Sequence, residues 1–154
     1  MKRSMVVIVL TVCMVLVAGA AFAASSNSSV TVSGTVQGVC QFDPTSGTAL
    51  SFGSITPNVA ATATNNVIVE CTNGWAYSLA VNTGLNSANC AGSACMKNGA
   101  NYMNYSASLA SASGTGTGFG SPITDVLTGT VSATNSQNAA VGSYNDTLTV
   151  TLTY

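Results

Sequence analysis

The chain has 154 residues with three basic and four acidic side chains, no histidine, and only 5 % charged residues, where a soluble domain usually carries about a quarter. Lys2 and Arg3 stand at the N-terminus, so the remainder sets Lys97 alone against Asp43, Glu70, Asp125 and Asp146. One lysine cannot neutralise a row of phosphates, which excludes nucleic acid and a polybasic membrane contact as partners. Acid–base, nucleophilic and metal chemistry lack their residues, so the expectation is a structural or binding protein, not an enzyme, with no cofactor and no small-molecule substrate.

Behind Lys2 and Arg3 runs an apolar stretch from Met5 to Val17, and Ala21 and Ala23 then put small residues at positions −3 and −1 of a cleavage point. That is a secretory signal over residues 1–23. The stretch is short for a membrane span, and Cys13, preceded by Val12, does not fit a lipoprotein cysteine. The mature chain of 131 residues suits one domain and keeps Cys40, Cys71, Cys90 and Cys95. In an exported chain these read as two disulfides with three possible pairings. Cys40–Cys71 with Cys90–Cys95 is the expected one, because only Ala-Gly-Ser-Ala separates the second pair. A zinc site has neither the spacing nor the histidines.

Ser, Thr, Asn and Gly make up half of the mature chain, and Leu, Ile, Val and Phe only about 19 %. Placement of the apolar residues decides that it folds. After a polar lead at Ala24 to Asn27, Val30, Val32 and Val36 share one face, with Gly34 in the place of a fourth side chain. Cys40, Phe42, Leu50 and Phe52 mark an interrupted strand region. Val67, Val69 and Cys71 form the next face, then Trp75, Tyr77, Leu79 and Val81. Asn82 to Asn101 reads as a long loop with the small disulfide. Met103, Tyr105, Ala107 and Leu109 alternate next, and Ser111 to Gly120 is a second loop. Leu127, Gly129, Val131 and Ala133 follow, and Leu148, Val150, Leu152 and Tyr154 alternate with four threonines to the end. Turn signals such as Asp43-Pro44, Asn73-Gly74 and Asn98-Gly99 separate the runs. Outside the signal no stripe of helical period stands out.

Six strand regions after Cys40 predict an all-β, two-sheet antiparallel sandwich, one strand short of the seven of an immunoglobulin-like fold. The chain stops at Tyr154, so the expectation is that nothing downstream supplies the seventh. Val30 to Val36 has two readings at this point: a first strand of its own domain, or a detachable strand that adds to a neighbouring copy. Burial of three valines is worth roughly 5–9 kcal/mol against a whole-domain stability of about 5–15. A strand of that weight decides whether a monomer is stable.

Four ordered motifs over residues 36–154 carry a resemblance. The ending from Gly142 to Tyr154 resembles G-x-Y-x-D-x-φ-x-V-x-φ-x-Y/F. Val69-Glu70-Cys71-Thr72-Asn73-Gly74 with Tyr77-Ser78-Leu79 resembles a second-cysteine strand. Asn98-Gly99 to Tyr105 resembles N-G-x-x-x-φ-x-Y, and Cys40-Gln41-Phe42 with Leu50-Ser51-Phe52-Gly53 resembles an opening C-x-F…φ-x-F-G. Together these are similar to the spore coat protein U domain family, which includes subunits of archaic chaperone–usher pili. The Cys90–Cys95 loop and the small Ser106-Ala107-Ser108 depart from that pattern.

The resemblance implies an incomplete immunoglobulin-like sandwich of about six strands over residues 40–154, completed by a donor strand from another subunit or a chaperone. It implies a donor extension over residues 24–39 with Val30, Val32 and Val36 as donor residues. Leu148, Val150, Leu152 and Tyr154 would edge the acceptor groove and bind the chaperone. Cys40–Cys71 would tie the first strand to the second beside it. Implied partners are other copies or related pilin subunits, a periplasmic chaperone and an outer-membrane usher; the implied location is the cell surface, reached through the periplasm, as a pilus or a coat. The implied role is attachment and biofilm formation.

Other readings fit less well. A small outer-membrane barrel needs at least eight strands with aromatic girdles. A monomeric coat or carbohydrate-binding module would use Tyr102, since Trp75, Tyr77 and Tyr105 share faces with aliphatic residues and are expected in the core. Gly114 to Gly120 lacks the following helix of a phosphate loop.

Overall fold

The computed structural model describes residues 23–154, so the signal segment expected over residues 1–23 lies, but for Ala23, outside the described residues. The chain divides into two units, residues 1–35 and Val36–Tyr154. In the first, residues 23–35 have no regular secondary structure and all their side chains are exposed, Val30 by 82 % and Val32 by 90 %.

In the second unit nine strands are formed: β1 Cys40–Phe42, β2 Ala61–Cys71, β3 Ala76–Val81, β4 Cys95–Asn98, β5 Asn101–Asn104, β6 Ser106–Leu109, β7 Ser113–Thr115, β8 Ile123–Val131 and β9 Val150–Thr153. A 3-10 turn at Ser87–Cys90 and a four-residue helix α1, Ala133–Ser136, complete the elements. Ser132 caps α1 by accepting from the Asn135 N–H. All pairings are antiparallel, in three open sheets ordered β1-β2-β8-β6, β7-β3-β9 and β4-β5.

The alternation places the core. Val67, Val69 and Cys71 of β2 and Leu127 of β8 meet Tyr77 and Leu79 of β3 in one cluster. Met96, Met103, Tyr105 and Val131 form a second, and Ala107 and Leu148 pack against both. The elements of this unit are therefore almost all β, as the period-two pattern requires. Asp125 alternates into the same face: its Oδ1 accepts from the N–H groups of Ser111 and Val126 at 2.9 and 2.7 Å, while Oδ2 has no partner among the described residues.

Nine strands stand where six regions are expected, for identifiable reasons. The Met103–Leu109 region is two strands interrupted at Tyr105, and β4 and β7 lie inside the two expected loops. Neither β4 nor β7 carries an alternating apolar face. Their ladders come from partners, Lys97 opposite Tyr102 and Gly114 opposite Tyr77. Leu50–Phe52, conversely, forms no strand.

Candidate functional site

The two edges that define the site are β1, paired only to β2, and β9, paired only to β3. Each leaves one side of its main chain without a sheet neighbour. Such an edge is a template for another strand.

The first wall begins where β1 ends. Asp43 accepts from the main-chain N–H of Thr45 at 2.6 Å and from the Thr45 hydroxyl. These bonds, the hydroxyl's first, hold the Asp43 carboxyl below the usual carboxylate value. Ser46 bridges to β2 by accepting from the Ile68 N–H at 3.0 Å, and Gly47 N–H donates to Asn66 O at 2.8 Å. From Thr48 to Ile55 the main chain makes no hydrogen bond among the described residues. What holds this stretch is its side chains. Leu50 and Phe52 lie on Gly129 of β8, where a Cβ would come within 2.6 Å of Leu50 and 2.9 Å of Phe52.

The second wall is Tyr144–Val150. Its odd residues turn toward the body of the fold: Asn145 exchanges main-chain bonds with Lys97, Thr147 O accepts from Leu85 N–H, and Thr149 O accepts from Asn82 N–H. In an antiparallel ladder successive residues direct their N–H and C=O to opposite sides. The main-chain groups of Asp146, Leu148 and Val150 accordingly face the open side.

Between these walls lies a groove of about 710 Å³ floored by Val67, Leu127, Tyr105 and Met96. Past Phe52 it continues as a cavity of about 700 Å³ between Ile55 and Tyr144, over Met96 and Met103. The combination is an apolar floor bounded by two main-chain edges that have bonding capacity to spare. Its carboxylates are already engaged, Asp43 by Thr45 and Asp146 by Tyr105, Leu85 and Asn86, and the space between the walls has room for an extended segment.

Leu148 and Val150 stand in this groove. Leu152 packs in the main core opposite Leu79, and Tyr154, past the end of β9, is exposed. Cys40 is bonded to Cys71 across the β1–β2 register, adjoining Phe42 in the first wall, and Cys90 is bonded to Cys95 ahead of β4. Val36 is exposed, like Val30 and Val32. Tyr77 and Tyr105 are core residues, but Trp75, expected beside them, is 46 % exposed. It precedes β3, and its ring covers Gly38. Tyr102 is at the surface, with Lys97 Nζ 5.9 Å from its ring centre.

The sequence reading places none of Phe52, Met96, Met103, Tyr105 and Asp146 at the groove, yet all of them line it or its continuation. The signal was present: Tyr105 and Asp146 are lettered positions of two of the four motifs. Forty-one residues apart, they meet, Tyr105 Oη donating to Asp146 Oδ2 at 2.8 Å.

The family model of the Spore Coat Protein U domain matches residues 26–151. The chain belongs to that family. The match starts fourteen residues before the first motif, at Cys40, and so takes in the Val30–Val32 stretch of this Spore Coat Protein U domain chain. No curated protein matches it. Among solved structures it is similar to a chain of the CsuC–CsuE chaperone–tip adhesion subunit pre-assembly complex from archaic chaperone–usher Csu pili of Acinetobacter baumannii. The TM-score is 0.54 at 20 % identity, covering 78 % of this chain and 40 % of that one. This likeness is one of fold, and the Spore Coat Protein U domain chain spans well under half of that longer relative.

Proposed function

We propose that this chain is a structural subunit of a surface fibre, a chaperone–usher pilus, that polymerises by donor-strand exchange. The observation that carries the reading is the groove: two main-chain edges without sheet neighbours above an apolar floor, in a chain that also bears an exposed alternating segment at Val30, Val32 and Val36. Residues 24–39 of one copy act as donor, and the groove walled by Leu148 and Val150 in the domain of residues 40–154 of the next copy accepts them. Strand addition draws affinity from main-chain pairing and specificity from alternate side chains, and both requirements are met on this one sequence. Family membership, and a like fold in a chaperone–subunit complex, support it.

In this reading a periplasmic chaperone lends a strand to the groove during export, and an outer-membrane usher exchanges it for the next subunit's donor. The product is a fibre at the cell surface that serves attachment and biofilm formation, with no catalytic step. The test is assembly of the exported, oxidised protein. Wild type is expected to give a ladder of multimers on unheated detergent gels, and Val32→Asp and Val150→Asp are each expected to give monomer alone, because each places a charge where an apolar contact is required. Ladders from both variants equal to that of wild type would overturn the reading.

A further inference from the structure

Nothing in the sheet pairing holds the two walls of the groove at a set distance. The first wall has no main-chain bonds from Thr48 to Ile55 among the described residues, and the second is bonded only on its far side. The Tyr105 side chain touches both. The Tyr105 ring packs edge-on against Phe52 of the first wall, centroids 6.0 Å apart at 70°, and its hydroxyl donates to Asp146 Oδ2 in the second at 2.8 Å. Asp146 is itself fixed from behind: Oδ1 accepts from Leu85 N–H at 3.1 Å, Asn86 N–H at 3.3 Å and Asn86 Nδ2 at 3.0 Å. That approach depends on Gly84 at φ +81°, where a Cβ would stand 2.0 Å from Asp146 Oδ2. The carboxylate thus has four donors and, among the described residues, no cation.

We propose that Tyr105 is a crossbar, latched to Asp146, which Asn86 and Leu85 hold in turn, that sets the width of the groove and thereby the hold on an inserted strand. Tyr105 and Asp146 are positioning residues: they act by fixing where the two edges stand. The inference rests on the strand-acceptor reading and deepens it.

The test uses the full exported, oxidised chain, carrying Val32→Asp throughout so that its own donor does not fill the groove and otherwise wild type or variant, with a fluorescein-labelled synthetic peptide of residues 24–39 and release followed by anisotropy after dilution into unlabelled peptide. Wild type is expected to release the peptide slowly, and Tyr105→Phe and Asp146→Asn each about tenfold faster. The double variant is expected to be no faster than the faster single one, since both remove the same hydrogen bond. A general loosening of the fold would instead add. If Asp146→Asn does not fold, Asn86→Ala withdraws one of the four donors and is expected to shift release in the same direction by a smaller factor. Release from the variants at the wild-type rate, or additive effects, would overturn the crossbar and leave the fibre reading standing. If wild type captures no peptide at all, the acceptor reading fails and the crossbar with it.

Discussion

Tyr105 lies at the break between β5 and β6, with its phenol bonded to Asp146 and its ring in the core. Burial first, then the hydrogen bond and the charge of Asp146, push that phenol well above the ordinary tyrosine value near 10. The folded protein therefore holds this proton more tightly than the unfolded chain. The resulting stability is whole below about pH 10 and is lost as pH rises from there through the folded value. Urea midpoints of wild type are expected to fall steeply above about pH 10, and those of Tyr105→Phe less steeply. Tyr77, raised by burial and then by the charge of Asp125, leaves a remaining slope. Identical slopes in the two proteins would count against the buried pair. Periodicity put Tyr105 on the inner face correctly, because alternation reports side-chain direction. It could not report the partner, and it misplaced Trp75, which lies one residue before β3 begins.

At the scale of elements, the Cys40–Cys71 bond joins a three-residue edge strand to the longest strand, at a sequence separation of 31. β1 has only three residues to pair, so the covalent tie carries much of what holds it. The loop-entropy relation assigns about 4 kcal/mol to this bridge and about 2 to Cys90–Cys95. Cys40→Ser/Cys71→Ser is thus expected to lose roughly twice the unfolding free energy of Cys90→Ser/Cys95→Ser, as read from urea unfolding. Equal losses would show that β1 is held by its packing instead. Long strands with one buried face were legible beforehand, as β2, β3 and β8 show. β4 and β7 were not. Ser113-Gly114-Thr115 has no apolar face, and it is a strand because β3 offers it a ladder and Gly114 leaves room for the Tyr77 hydroxyl.

For the whole molecule, an acceptor groove makes stability a function of strand concentration. A ligand that binds only the folded state adds RT ln(1 + [L]/Kd). The 24–39 peptide at about a thousand times its dissociation constant is therefore expected to raise the unfolding free energy by about 4 kcal/mol. Val150→Asp is expected to show a much smaller rise, by urea titration with and without peptide. No rise in wild type would sink the acceptor reading.

Alternation along the chain determined the β class, the inner faces of the main strands and the character of the polar surface, because side-chain direction in a strand depends only on local geometry. Four motifs placed the chain in its family. The tertiary structure alone decided the groove. Its walls, Thr48–Ile55 and Tyr144–Val150, are about ninety residues apart in sequence; the final motif pointed to Leu148 and Val150 of the second, and nothing in its own residues marks the first. They become walls because Thr48–Ile55 has no main-chain partner among the described residues, because Tyr144–Val150 bonds only on its far side, to Lys97, Leu85 and Asn82, and because Tyr105 reaches both. A missing neighbour is a property of the assembled sheets, and no local pattern encodes it.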